Sequence, residues 1–393
     1  MTQPMPEGAR IAPAWATPWA AAPSSSCRRR RPPGGAGWTE TVLHAFRGAD
    51  GAGPLDLIAD SAGNLYTTTE SGGRGPCFNG TGCGSFVELS PPAAGKSRWT
   101  ETVLYKPGNA GAAPGIAIAD RKGNLYGTLG RGGAFNHGAI VELSPPPKPK
   151  SPWTQTIIFS FKGGADGSAP VALIWGRAGS LYVSTTAGGA TGKGAIVRLS
   201  PPAANGSTWR ETVLYSFTRA AEGDFAVGLS TDRAGKLYAV GSYTGLLRCS
   251  YAGGATPCGT IFMLSPPAGG GLPWQENVIY RFKGGFDGAF PSAPLIEDAK
   301  GRLYTTTIAG GGGGCFGLHR PTSGCGTIVR LSPPAAGRSA WTETVLYRFK
   351  DGKDGGNPNQ LIADKGNLYT TTAGGDTSLG TFARLAGSGF EEK

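Results

Sequence analysis

The chain has 393 residues, of which 67 are Gly and 31 Pro, and carries 37 basic against 26 acidic side chains for a net charge of +11. No apolar run reaches the ~18 residues that a membrane-crossing helix needs, and no stretch of useful length carries a helical period. Five of the 37 basic residues, Arg10 and Arg28 to Arg31, fall in the first 31 positions. The remainder is mildly basic, with no basic helix or basic–aromatic motif, so nucleic acid is not an expected partner.

Residues 1–37 differ in composition from everything after them and read as a leader or disordered arm. Ile11 to Ala22 is apolar but interrupted by Pro13 and Pro18. Its arginines mostly follow the apolar stretch, whereas a secretory signal places its charge before. At Trp38 a repeat begins. Its clearest copy is the extended run Trp209 to Phe217, and others start at Trp38, Trp99, Trp153, Trp274 and Trp341. Alternation along a strand puts Trp209, Glu211, Val213, Tyr215 and Phe217 on one face and Thr212 and Leu214 on the other. After this run comes a Gly/Asp-rich loop, then a proline and an apolar run such as Pro170 to Ile174. A tight turn follows, Asp60 to Gly63 in the first copy, with Asp first and Gly last as a hairpin with one left-handed residue requires. Next are Asn64 to Thr69, a Gly-Gly loop, and a run such as Gly194 to Leu199. Ser200-Pro-Pro202 closes it, because proline cannot donate to a ladder.

Four short antiparallel strands per period, six times over, predict an all-β fold, a six-bladed β-propeller of four-stranded antiparallel blades over residues 38–385. We letter the strands A, from the proline-led run near the axis, to D, the Trp strand outermost. The chain then starts with an orphan D, Trp38 to Phe46, and finishes with an orphan A–B–C set: Gln360 to Ala363, Asn367 to Thr372 and Gly380 to Leu385. Pairing the N-terminal strand with these C-terminal three strands is expected to close the ring and remove an open edge. A linear β-solenoid is the alternative, but it needs no complementary pieces at its ends. Residues 386–393 form a short polar tail, and a monomer is expected.

Asn-Leu-Tyr-Gly/Thr-Thr, Gly-Gly, Gly-x-Ile-Val-x-Leu-Ser-Pro-Pro and Trp-x-Glu-Thr-Val-Leu-Tyr-x-Phe together resemble the GloVer tandem-repeat family of bacterial proteins. The resemblance runs from about residue 38 to 385. It implies an exported or surface protein, offers no catalytic residues to carry over, and implies no established activity.

Among the seven cysteines, Cys77 with Cys83, Cys249 with Cys258, and Cys315 with Cys325 pair off within single B–C loops, leaving Cys27 in the leader. Disulfides are the expected reading, each worth roughly 2–3 kcal/mol by loop closure, and they point to an oxidising, extracellular, periplasmic or cell-surface location. The rival is zinc held by Cys249, Cys258, Cys315 and Cys325, although their spacings exceed the usual two to four residues. The D–A loop repeats Asp-Gly at Asp50, Asp166, Asp287 and Asp354, with Asn109 to Gly111 and Glu222 to Asp224 in the other two copies. These four aspartates are the candidate ligand-binding residues. They either ring the mouth and hold a hard cation such as calcium, or merely make turns. No cofactor is otherwise expected. His44, His137 and His319 lie in different repeats, none flanked by a second candidate ligand, and no nucleophile elbow, metalloprotease pair or phosphate loop occurs. The D-strand tryptophans read as blade packing before they read as a sugar-stacking row. Two functions follow. One is a non-enzymatic exported repeat protein binding a carbohydrate, envelope component or protein partner on the face carrying the B–C and D–A loops. The other is a hydrolase or lyase with a divalent metal at the axis.

Overall fold

The computed structural model describes residues 23–29 and 38–391 apart from 56, 74–76, 78–81, 94–95, 97, 108–110, 148–150, 204–205, 219–224, 233, 243–246, 252–253, 269–270, 313–323, 351–353, 365 and 375–380. It is a six-bladed β-propeller, with no α-helix among the described residues. The third blade shows the plan. Strands Ser168–Trp175, Leu181–Ala187, Ala195–Ser200 and Arg210–Ser216 pair antiparallel in chain order, A to D. A strands of successive blades lie side by side around the axis, as Gly111–Ala119 does with Ser168–Trp175, and D strands form the outer edge. In the fourth blade the B–C loop carries an extra hairpin, Arg248–Tyr251 with Gly254–Pro257.

The A–B turn is built by the aspartate that the sequence singled out. Asp60 Oδ1 accepts from the backbone N–H groups of Ala62 and Asn64, and its Oδ2 accepts from the Tyr66 hydroxyl at 3.0 Å. Asp298 repeats this with Lys300, Arg302 and Tyr304 while almost fully buried. Burial alone would raise its pKa, but hydrogen bonds from Arg302 and Tyr304 outweigh that and hold it below the usual range.

Packing is between blades. Phe161, Phe217, Phe282 and Phe349, each just beyond a D strand, are fully buried against the next blade. Each of the four donates its backbone N–H to the glycine that precedes its own C strand, as Phe161 does to Gly138. Burying such a side chain contributes about 2–3 kcal/mol. These C-strand glycines have a second duty. Gly138, at φ +99, leaves room for Pro170 of the next blade, whose Cδ would stand 2.4 Å from an added Cβ. Gly84, Gly259 and Gly326 meet Pro114, Pro291 and Pro358 the same way. The expected tryptophan packing is present: Trp153, Trp209 and Trp274 pack edge-on against Tyr66, Tyr126 and Tyr182 of the preceding blade.

Two expectations take a different form. The D strand does not alternate strictly, because it carries a bulge in each of the first five blades. In the third blade Val197 pairs with Val213 but its neighbour Ile196 pairs with Tyr215, so Leu214 is the extra residue. An extra residue reverses the facing of everything beyond it. Trp209, Glu211 and Val213 therefore face one neighbour and Tyr215 and Phe217 the other. At the ends of the chain, strand Trp38–Ala45 pairs with Pro23–Arg29, a strand within the predicted arm. The last sheet is Gly356–Asp364, Asn367–Gly374 and Thr381–Leu385, and among the described residues no ladder joins it to Trp38–Ala45. Phe46 nevertheless packs on Val87 and Leu89 of the first blade, the place its equivalents take at the other junctions.

A candidate functional site beside the first blade

The bulge brings three side chains together at the blade junctions: an aromatic from the end of one D strand, the aspartate of the D–A loop after it, and a glutamate near the start of the next D strand. Between the fourth and fifth blades they are Tyr280, Asp287 and Glu343. Asp287 accepts from the Tyr280 hydroxyl at 2.6 Å and from the Lys283 backbone N–H at 2.7 Å. Burial pushes Glu343 up to about 7, and the charge of Asp287 adds to the effect while Arg348 and Lys283 oppose it. Burial likewise raises Asp287. Tyr215 donates to Glu276 at the junction of the third and fourth blades. Glu211 is raised by burial and then by Asp166, across the junction of the second and third.

One junction carries an imidazole in place of the aromatic ring. Where the other five copies carry Tyr105, Phe159, Tyr215, Tyr280 and Tyr347, the strand preceding the first blade carries His44. Its Nε2–H donates to Asp50 Oδ2 at 2.8 Å, replacing the tyrosine hydroxyl, while Asp50 Oδ1 accepts from the Arg47 backbone N–H. Burial would raise Asp50, but these hydrogen bonds hold its carboxyl below the usual range. Glu101 of the first blade faces the pair. Ligand atoms of His44, Asp50 and Glu101 all lie within 4.8 Å of one another, and among the described residues no other group of three or more His, Cys, Asp or Glu gathers this closely. Burial raises Glu101, with His44 and Lys106 opposing and Asp50 adding. The Phe46 ring lies edge-on to His44 at 4.8 Å.

Beside this trio opens a cavity of about 570 Å³ lined by Leu43, His44, Arg47, Lys96, Arg98, Trp99, Thr100 and Glu101. Arg47, Lys96 and Arg98 are exposed and Trp99 is half-buried. A basic rim around an indole face suits a ligand with both an anionic group and an apolar ring face.

The structure spreads the sequence-predicted aspartates over separate junctions. Asp166 accepts from the Lys162 backbone N–H at 2.6 Å and is buried, and Asp354 accepts from Lys350 N–H and the Tyr347 hydroxyl. Asp50, Asp166 and Asp287 stand over strand B of the following blade, where a Cβ on the adjoining Gly51, Gly167 or Gly288 would run into Thr69, Thr185 or Thr307. Of the four, Asp50 has other candidate ligands around it. Asn109 and Glu222 to Asp224 lie outside the described residues. Sequence reasoning missed His44 and Glu101 because His44 has no second ligand beside it in the chain. The signal that finds it is the aligned repeat, in which one copy replaces an aromatic by imidazole.

Disulfides join Cys77 to Cys83 and Cys249 to Cys258, with Cα separations of 4.9 and 5.0 Å, and Cys325 is also disulfide-bonded. Its expected partner Cys315 lies outside the described residues. Among the described residues no helix is long and apolar enough to cross a membrane.

Comparison with known proteins locates the fold more closely than the activity. A family model described as a Gloeobacter/Verrucomicrobia repeat matches residues 148–383. A protein of Bacteroides uniformis assigned as a 6-phosphogluconolactonase aligns with TM-score 0.50 and 11% identity, over 89% of this chain and 88% of that one. A luciferin-regenerating enzyme aligns with TM-score 0.48 and 15% identity, over 86% and 93%. A gluconolactonase of Xanthomonas campestris gives 0.45 and 12%, over 84% of each chain. At these identities the likeness is one of fold. No curated protein matches the chain.

Proposed function

From the premise that the chain belongs to the Gloeobacter/Verrucomicrobia repeat family, we propose that it is an exported propeller that binds an acidic carbohydrate in the cavity between strand Trp38–Ala45 and the first blade. The observation that carries this reading is the lining of that cavity. It joins Arg47, Lys96 and Arg98 to Trp99 at the one junction where the repeat carries histidine. Guanidinium groups pair with carboxylate or sulfate in a planar fork, and an indole offers a flat apolar face to the C–H side of a pyranose. The exported location rests on the disulfides, which persist in oxidising compartments. A binding role is favoured over a hydrolase or lyase with an axial metal. Such a metal would need the D–A loop aspartates gathered at one point, whereas Asp166, Asp287 and Asp354 are each held in the turn of a separate junction.

The test is calorimetric titration of the full chain with uronic-acid oligosaccharides and with neutral ones of the same length, at low and moderate salt. Acidic oligosaccharides are expected to bind more tightly, with affinity falling as salt rises. Arg98→Ala should weaken binding by about tenfold or more, the worth of a charged hydrogen bond, and Trp99→Ala should weaken it as well. Equal affinity for the neutral oligosaccharides, or binding indifferent to both substitutions, would sink the proposal.

A further inference from the structure

We infer that His44, Asp50 and Glu101 form a site for a divalent transition-metal ion of the zinc class, with its open coordination position facing the cavity between strand Trp38–Ala45 and the first blade. Four observations meet here. First, the donor set of one imidazole and two carboxylates is one that such ions accept, at ligand distances of about 2.0–2.2 Å. Second, the three donors come from three places in the chain and already lie within 4.8 Å of one another. His44 Nε2 and Asp50 Oδ2 are 2.8 Å apart, so the proton they share stands where a metal would replace it with a small widening.

Third, among the described residues Glu101 Oε1 is buried from solvent and has no hydrogen-bond partner, a state that Glu343 Oε1 shares at the junction of the fourth and fifth blades, where no imidazole stands beside it. A buried carboxylate oxygen without a donor carries a desolvation cost that a coordinated cation would remove. Fourth, the neighbouring cavity supplies an entry path and room for the remaining ligand, water or an oxygen of a bound molecule. The repeat itself provides the control. At the junctions of Tyr280 with Asp287 and Tyr347 with Asp354, a phenol makes the bond to aspartate that His44 makes here. A neutral phenol satisfies the turn but is a poor ligand, so the turn alone does not call for imidazole.

This inference stands whether or not the cavity takes a carbohydrate, and the two tests fail separately. The full chain, free of any histidine tag, chelator-treated and carrying Cys27→Ser to remove a competing sulfur ligand, is titrated with Zn²⁺ by calorimetry. It is also titrated with Co²⁺ by visible absorption. One equivalent of Zn²⁺ is expected to bind and to displace Co²⁺ with loss of its d–d bands. His44→Tyr restores the tyrosine–aspartate bond of the other junctions, so it should keep the parent melting transition in chelator. It should also lose about 100-fold or more in affinity, since even outer-shell changes at metal sites cost 10–100-fold. Glu101→Gln keeps the shape, should bind more weakly by a similar factor, and serves if His44→Tyr fails to fold. No stoichiometric binding of either ion, or binding equally tight in both variants, would overturn the site.

Discussion

Replacing Glu343 by glutamine should stabilise the propeller at alkaline pH and leave it nearly unchanged in mild acid. Burial and the charge of Asp287 bring the Glu343 carboxyl from the usual 4.5 to about 7 in the folded chain. The folded state therefore holds a proton that the unfolded state releases, and stability falls as pH rises through that window. A shift of this size corresponds to roughly 3 kcal/mol at full burial. The side chain is partly solvated, so screening reduces this to about 1–2 kcal/mol at pH 8. At pH 5 the folded carboxyl is almost wholly protonated while the unfolded one is already largely ionised, so only the first part of the penalty has developed and, after the same screening, the difference should be about 0.5 kcal/mol or less. Urea denaturation of parent and Glu343→Gln at the two pH values, with midpoints compared at constant m, measures it. An equal gain at pH 5 and pH 8 would refute the reasoning. So would a loss of stability at pH 8, because either result would mean that burial and the Asp287 charge do not raise the Glu343 carboxyl in the folded chain.

Two further outcomes follow from the packing. Gly326→Ala should cost about 2–3 kcal/mol, since its Cβ would lie 2.3 Å from Thr307 O and 2.5 Å from Pro358 Cδ at φ +98. Gly164→Ala, with nothing within 4 Å, should stay within about 0.5 kcal/mol, and thermal melts of the pair decide whether close approach or glycine itself matters. Cys249→Ser combined with Cys258→Ser should remove about 2–3 kcal/mol of loop-closure stabilisation, read as a melting shift that reducing agent reproduces in the parent.

The strand order, the six periods and the turns at Asp60, Asp120, Asp232 and Asp298 were all legible in the sequence, because each is a local pattern that every copy repeats. The aromatic packing of the D-strand tryptophans was legible for the same reason. The bulge was not, since Val213, Leu214 and Tyr215 look like any alternating strand. What distinguishes Leu214 is its lack of a partner in strand Ala195–Ser200. The junction trios were hidden by distance. Tyr215 and Glu276 are 61 residues apart, and neither the glutamate nor the tyrosine looks functional until the neighbouring blade is set beside it. His44 has no ligand next to it in the chain, because Glu101 reaches it from the first blade. The hydrogen-bonding role of the Asp-Gly loops was half legible. Their turn chemistry could be read, but their separation into different junctions could not.

The bulge in the D strand also bears on how such a chain can lengthen. Because the first half of each D strand looks backward and the second half forward, every blade is a link with unlike ends, joined head to tail. Links of that kind build open screws unless their successive rotations add up to one full circle. Tandem duplication of a period therefore supplies a ready-made joint each time, with Trp, Glu, aromatic and Phe already in register, and requires no new contact chemistry. What it changes is the angle demanded of all the joints at once. Selection for a closed ring then acts on the number of copies, while individual junctions stay free to diverge, as the one carrying His44 has done.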